Sequence, residues 1–76
     1  MEFENFIENF KDQFDDELTS ELTPETVFRE LEGWSSIVAL SVMSMIDEEY
    51  DVQLTADDIR NSHTLGDLFN IVSSKQ

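Results

Sequence analysis

Phe3, Phe6, Ile7, Phe10 and Phe14 recur at spacings of three and four near the start of the chain, and four of the five are phenylalanine. On a period of about 3.6 residues this spacing lines them up on one stripe. Glu4, Glu8, Lys11, Asp12 and Asp15 fall on the opposite face. The pattern predicts an amphipathic helix over about residues 2–16 whose aromatic face other segments must cover. The chain has 76 residues to do this. A chain of about 60 residues buries only roughly 60% of its unfolded surface, so each large apolar residue is needed for the core. The expectation is one domain over residues 1–76. The absence of cysteine excludes a disulfide scaffold and a cysteine zinc site. An apolar fraction of 39% is too high for a disordered acidic tail.

The covering elements follow in order. Residues 17–35 break the helical pattern, with Pro24, Gly33, Thr19, Ser20 and Thr23 supplying turn chemistry. Thr23-Pro24-Glu25 suits a short turn, and Val27, Phe28 and Leu31 have the spacing to pin this long loop to the core. A second helix is predicted from about Ser36 to Tyr50, capped by Ser35 or Ser36. Its inward stripe reads as Ala39, Val42, Met43, Ile46 and Tyr50, joined by Leu40, with Ile37, Ser41, Ser44 and Glu48 outward. Thr55 starts a short turn with Asp57 or Asp58 in its first turn and Ile59 as its buried anchor. Thr64-Leu65-Gly66-Asp67 reads as a capping box, with Asp in place of Glu or Gln. It opens a last helix carrying Leu65, Leu68, Phe69 and Val72, which should fray from Ser73 to Gln76. The fold class expected is all-α, a bundle of three to four helices with a long loop between the first two.

Eighteen acids face four Lys plus Arg, for a formal net charge of −14. Such a surface repels phosphate backbones and anionic lipid headgroups, which argues against nucleic-acid and membrane partners. It favours partners with basic patches and makes their encounter salt-sensitive. No apolar run approaches the roughly 18 residues that span a bilayer. Met1 leads into Glu2 and Glu4 rather than a basic segment, so a cytoplasmic location and a monomer are expected.

Few residues offer catalysis. His63, the one histidine, sits between caps and reads as a turn residue, and a Cys–His pair is impossible. A Ser–His–Asp triad needs a pocket that this chain is too short to enclose. Asp47 to Asp58 superficially resembles a calcium loop, but Val52 stands where glycine is needed and Asp58 where a bidentate glutamate belongs. No enzyme and no specific metal site are expected; Glu48, Glu49, Asp51, Asp57 and Asp58 suit only loose binding of divalent ions.

What remains is Gly33-Trp34-Ser35-Ser36-Ile37. A hydroxyl at a helix start is ordinarily a cap, yet the N–H groups and positive dipole end there also favour a phosphate group. The outward Ile37 is placed to touch whatever docks beside it.

Over nearly its whole length the chain resembles the acyl carrier proteins. Ser35-Ser36-Ile37 stands where the family has Asp-Ser-Leu. Ile46-Asp47-Glu48-Glu49-Tyr50-Asp51-Val52 is similar to its acidic helix end, and Thr64-Leu65-Gly66-Asp67-Leu68 to the start of its last helix. The resemblance implies that Ser36 carries 4′-phosphopantetheine, added from coenzyme A by a phosphopantetheinyl transferase with magnesium. It implies further partners: acyl- or aminoacyl-loading ligases, synthases and transferases with basic patches, met by Trp34, Ser35, Ile37, Val38, Ser41, Ser44, Asp47 and Glu48. It also implies a space for the growing chain lined by Phe6, Phe28, Val42, Ile46, Ile59, Leu68 and Phe69. Two departures stand out. Ser35 replaces the family's magnesium-holding aspartate, which opens three outcomes: slowed modification, a dedicated transferase, or a protein never modified. Ile37 to Met45 contains no acid, which points to a more apolar, pathway-specific interface. The alternatives to a carrier are an unmodified, carrier-like acidic interaction domain and, more distantly, an acidic mimic of nucleic acid.

Overall fold

A computed structural model describes residues 2–14 and 21–76. Four α-helices follow in order: α1 (Phe3–Lys11), α2 (Ser36–Tyr50), α3 (Ala56–Asn61) and α4 (Leu65–Lys75). A 3-10 turn, Phe28–Glu30, lies in the connection between α1 and α2. Among the described residues there is no strand, only an isolated antiparallel bridge between Val27 and Thr64. The all-α expectation holds. α1 ends at Lys11, short of the expected residue 16: residues 12–14 form a turn, and residues 15–16, with Thr19 and Ser20, lie outside the described residues.

The phenylalanine stripe does what its spacing dictates. Phe6 and Phe10 are fully buried, Ile7 and Phe14 nearly so, and Phe3 is half-buried. Phe6 meets Phe69 edge-on at 5.5 Å between centroids, and Phe10 meets Phe28 at 6.3 Å. Such edge-to-face pairs add to the gain from burial itself. Phe28, Val42, Ile46 and Leu68, four of the residues expected to line a chain-binding space, are themselves fully buried core members. The core also takes in Leu22, Met45, Val52 and Leu54, which the sequence pattern had not singled out.

The long loop is held by backbone bonds. The Thr23 N–H donates to Thr26 Oγ1 at 2.9 Å, closing a tight turn around Pro24. That turn docks on the start of α4: Leu65 N–H donates to the Thr26 carbonyl and Gly66 N–H to the Pro24 carbonyl, both at 2.9 Å. A Cβ at Gly66 would sit 3.0 Å from the Pro24 carbonyl oxygen, so a larger residue would have to push this turn back by a few tenths of an ångström. Gly33, with φ of +91°, takes the chain through a left-handed conformation just before α2.

Caps end the helices as their side chains predict. Thr55 and Thr64 each accept from the backbone N–H three residues on, and Asp58 and Asp67 return the bond. These bonds hold the carboxyls of Asp58 and Asp67 below the usual aspartate range. For Asp58 the Thr55 N–H acts most, with Lys75 adding to it; for Asp67 the Thr64 and His63 N–H groups do so. Ser62 is fully buried, and its hydroxyl is satisfied by donating to the Asp58 carbonyl at 2.8 Å. The last helix runs through Lys75 rather than fraying from Ser73. Lys75 Nζ lies 3.3 Å from Asp58 Oδ2, which ties this end of α4 to α3. At the other end of α2, Tyr50 accepts from Asn9 Nδ2 and donates to Asn5 Oδ1, each at 3.0 Å, fastening it to α1.

Two expectations for α2 are corrected. Leu40, expected in the inward stripe, is 64% exposed, and Val38, expected at a partner surface, is buried at 7%. The inward arc is Val38, Val42, Met45 and Ile46, at intervals of four, three and one. Ala39 and Met43 fall to its half-buried edge. The reason is that Ile37-Val38-Ala39-Leu40 is apolar all round, so periodicity alone leaves the inward direction open by one residue.

Candidate functional site

Ser36 is the first residue of α2 and is exposed. Its neighbour Ser35 is the cap: in an extended conformation, its hydroxyl accepts from the Val38 N–H at 3.3 Å. The two adjacent hydroxyls are therefore not equivalent. Ser35 Oγ is engaged in holding the first turn together, whereas Ser36 Oγ has no hydrogen-bond partner among the described residues. The buried Val38 anchors the same turn from inside. An exposed hydroxyl at a capped helix start, with no hydrogen-bond partner among the described residues, suits covalent attachment of a phosphopantetheine group.

Trp34 positions this start from below. Its ring stacks on Phe10 at 6.3 Å and 11°, and meets Phe28 edge-on at 5.1 Å. It is half-buried, so it acts chiefly as a prop under the helix start and shows only part of its surface outside.

Of the residues expected at a partner surface, Ser35, Ile37, Ser44, Asp47 and Glu48 are exposed, Ser41 and Trp34 half-buried, and Val38 is removed. Ile37, 76% exposed, is joined by Leu40, which the sequence reading had placed inside. Both border an open groove between α1 and α2 whose rim carries Asp12, Glu48 and Glu49. The first turn of α2 contains no acid. The surface here combines an apolar pair with the carboxylates of the groove.

Arg29 and Arg60 were missed by the sequence reading. They are the only two arginines in the chain, and both border a second groove on the other flank of Ser36. Thirty-one positions separate them in sequence, counting from 29 to 60, so no local pattern couples them. His63 is an exposed turn residue, as expected, with its N–H on Asp67 Oδ2 at 3.1 Å. Among the described residues, no group of three or more His, Cys, Asp or Glu is placed to hold a metal ion, and no helix is long and apolar enough to cross a membrane.

With this geometry established, comparison with known proteins gives two findings. Residues 10–72 match the family model described as "Phosphopantetheine attachment site". The fold is similar to the solution structure of a holo acyl carrier protein from Geobacter metallireducens, with a TM-score of 0.80 at 22% identity over 96% of this chain and 83% of that one. At that identity the likeness speaks for the fold. No curated protein sequence matches the chain.

Proposed function

The chain belongs to the phosphopantetheine-attachment family, that of the acyl carrier proteins, a family of carriers rather than enzymes, and on that premise we propose that Ser36 is its attachment residue. The observation that carries the reading is the contrast between two neighbouring hydroxyls: Ser35 Oγ is held by the Val38 N–H, and Ser36 Oγ is exposed with no partner among the described residues. In the transfer, Ser36 Oγ forms a bond to the pantetheine-side phosphorus of coenzyme A. The P–O bond of the pyrophosphate breaks, the nucleotide half leaves, and the serine proton passes to a base of the transferase. Magnesium bound with the transferase offsets the developing charge. Once attached, the arm supplies the thiol on which acyl or aminoacyl groups are carried, so a cysteine-free chain takes part in thiol chemistry.

The chain's own part is presentation. Ser35 and Val38 fix the first turn of α2, and Trp34 supports it from the core. Ile37 and Leu40 offer an apolar contact, with Ser41 and Ser44 beside them. Asp47 and Glu48 supply the charge that draws loading ligases, synthases and transferases bearing basic patches. We place this carrier unit, residues 1–76, in the cytoplasm as a monomer, serving fatty-acid, polyketide or specialised biosynthesis.

Incubation with coenzyme A, magnesium and a broad-specificity transferase, followed by intact mass, tests the reading. The expected result is one phosphopantetheine adduct, absent from Ser36→Ala. A second reading, an unmodified interaction domain, is favoured by one observation: Ser35 stands where the family has its magnesium-holding aspartate. No adduct with any transferase, including the host's own, would establish that alternative.

A further inference from the structure

The interior expected to take a growing chain is filled by the protein's own rings. Trp34, two residues before Ser36, meets Phe28 at 5.1 Å between ring centroids, and Phe28 meets Phe10 at 6.3 Å. Phe10 meets Phe6 at 6.5 Å, and Phe6 meets Phe69 at 5.5 Å. Tyr50, 6.1 Å from Phe6, closes the far end, with its hydroxyl fixed to Asn5 and Asn9 of α1. The rings form one continuous column that runs from the residue before the Ser35 cap to the last residue of α2. Phe6, Phe10 and Phe28 are fully buried, and so are Val42, Ile46 and Leu68 of the same core.

Resting on the assignment of Ser36 above, we propose that this ring column is a specificity device: it closes the interior to the cargo, so the carrier holds its acyl or aminoacyl group in solvent and is matched to short or polar groups rather than long alkyl chains. A close-packed interior passes any displacement on to its neighbours, and extra methylenes forced into it destabilise the fold. Two of the ring pairs, Trp34–Phe28 and Phe6–Phe69, meet edge-on at 63° and 72°. Parting them loses an electrostatic attraction as well as contact. A chain tethered at Ser36 therefore finds the column closed from its nearer end, at Trp34 and Phe28. Outside, the exposed apolar side chains beside Ser36 are Ile37 and Leu40, at 76% and 64% exposure. They give a tethered chain something to lie against but do not enclose it. Each methylene left in water costs free energy, whereas a short or polar group loses little by staying there. The closed core thus discriminates by length and polarity, and it leaves the carried group within reach of a partner enzyme.

The test loads the full chain from acetyl-, hexanoyl- and dodecanoyl-coenzyme A with a broad-specificity transferase. Intact mass confirms each adduct, and Ser36→Ala its position. The expected result is one melting temperature for all three forms. Thioester cleavage by hydroxylamine, measured against the matching acyl-pantetheine, should also be equal for all three. Methyl spectra should change with chain length only at Ile37 and Leu40. Phe28→Ala takes a ring out of the column, and an engineered apolar cavity of that kind accepts apolar guests. Its dodecanoyl thioester should cleave several-fold more slowly than its acetyl thioester. Phe28→Leu, a smaller change in core volume, gives the same comparison where Phe28→Ala does not fold. Parent thioesters that grow slower to cleave with chain length, with shifts at Val42, Ile46 and Leu68, overturn the closed core and leave the Ser36 assignment standing. A folded Phe28 variant without length dependence overturns the role of the rings. Absence of any adduct overturns both the device and the Ser36 assignment.

Discussion

α1 and α2 are both apolar-rich helices, but they use their apolar residues in opposite ways. In α1 each apolar residue faces the core and the rest of the surface is polar or charged. In α2 the inward arc of Val38, Val42, Met45 and Ile46 is matched by an exposed outward pair, Ile37 and Leu40. One helix is spent on stability, while the other divides its surface between stability and contact. The division falls at the residue proposed for the attachment: Ser36 opens α2, and the apolar pair follows within one turn.

The sharpest way to break this contrast is at the core of α1. Phe10 is fully buried among Phe6, Phe14, Phe28 and Trp34. Phe10→Ala should cost about 3–5 kcal/mol in urea or thermal unfolding. In a domain this small that removes most or all of the stability. A loss below about 1 kcal/mol would show that the stripe is not the core it forms here.

Within α2, neighbouring positions should behave oppositely. Val38→Ala, at a buried site, should cost about 1–2 kcal/mol, whereas Leu40→Ala should stay within about 0.5 kcal/mol. A larger loss at Leu40 than at Val38 would return the inward arc to the direction that the sequence alone suggested. Leu40→Ala should instead slow transfer to or from a partner enzyme, measured at concentrations where encounter limits the rate.

The smallest effect lies in the caps. Asp58 and Asp67 accept backbone N–H bonds that lower their folded-state pKa below the unfolded one. Their contribution is therefore fully present above about pH 4, the ordinary aspartate value, and is lost as pH falls through the lowered folded values. Asn resembles the protonated acid, so Asp67→Asn should melt below the parent protein at neutral pH. The gap should close as the pH falls below about 4. A gap independent of pH would mean that charge plays no part in the cap.

Most of this fold was legible because polar residues fence the apolar ones. The stripe of α1, the box at Thr64 and the anchor at Ile59 each have one face to choose. Legibility failed where that fence is missing. Ile37 to Leu40 offers four apolar residues in a row, and tertiary packing, not periodicity, chose Val38 over Leu40 for the core. Met45 was overlooked for the same reason, since its neighbours Met43 and Ile46 suit a core equally well. The proposed attachment residue was visible only through the Ser35-Ser36-Ile37 resemblance, because a serine at a helix start is ordinarily a cap. The structure gives the cap to Ser35 and leaves Ser36 exposed. The arginine pair had no local signal at all: its members meet only because the turn after Val27 docks beside α3.

Fragmentation of the transferase-treated protein tests this division most directly, because it tells the two adjacent serines apart. The cap assignment predicts that the phosphopantetheine mass resides on Ser36, with Ser35 unmodified even in Ser36→Ala. Mass found on Ser35, or on another residue with Ser36 untouched, would contradict it.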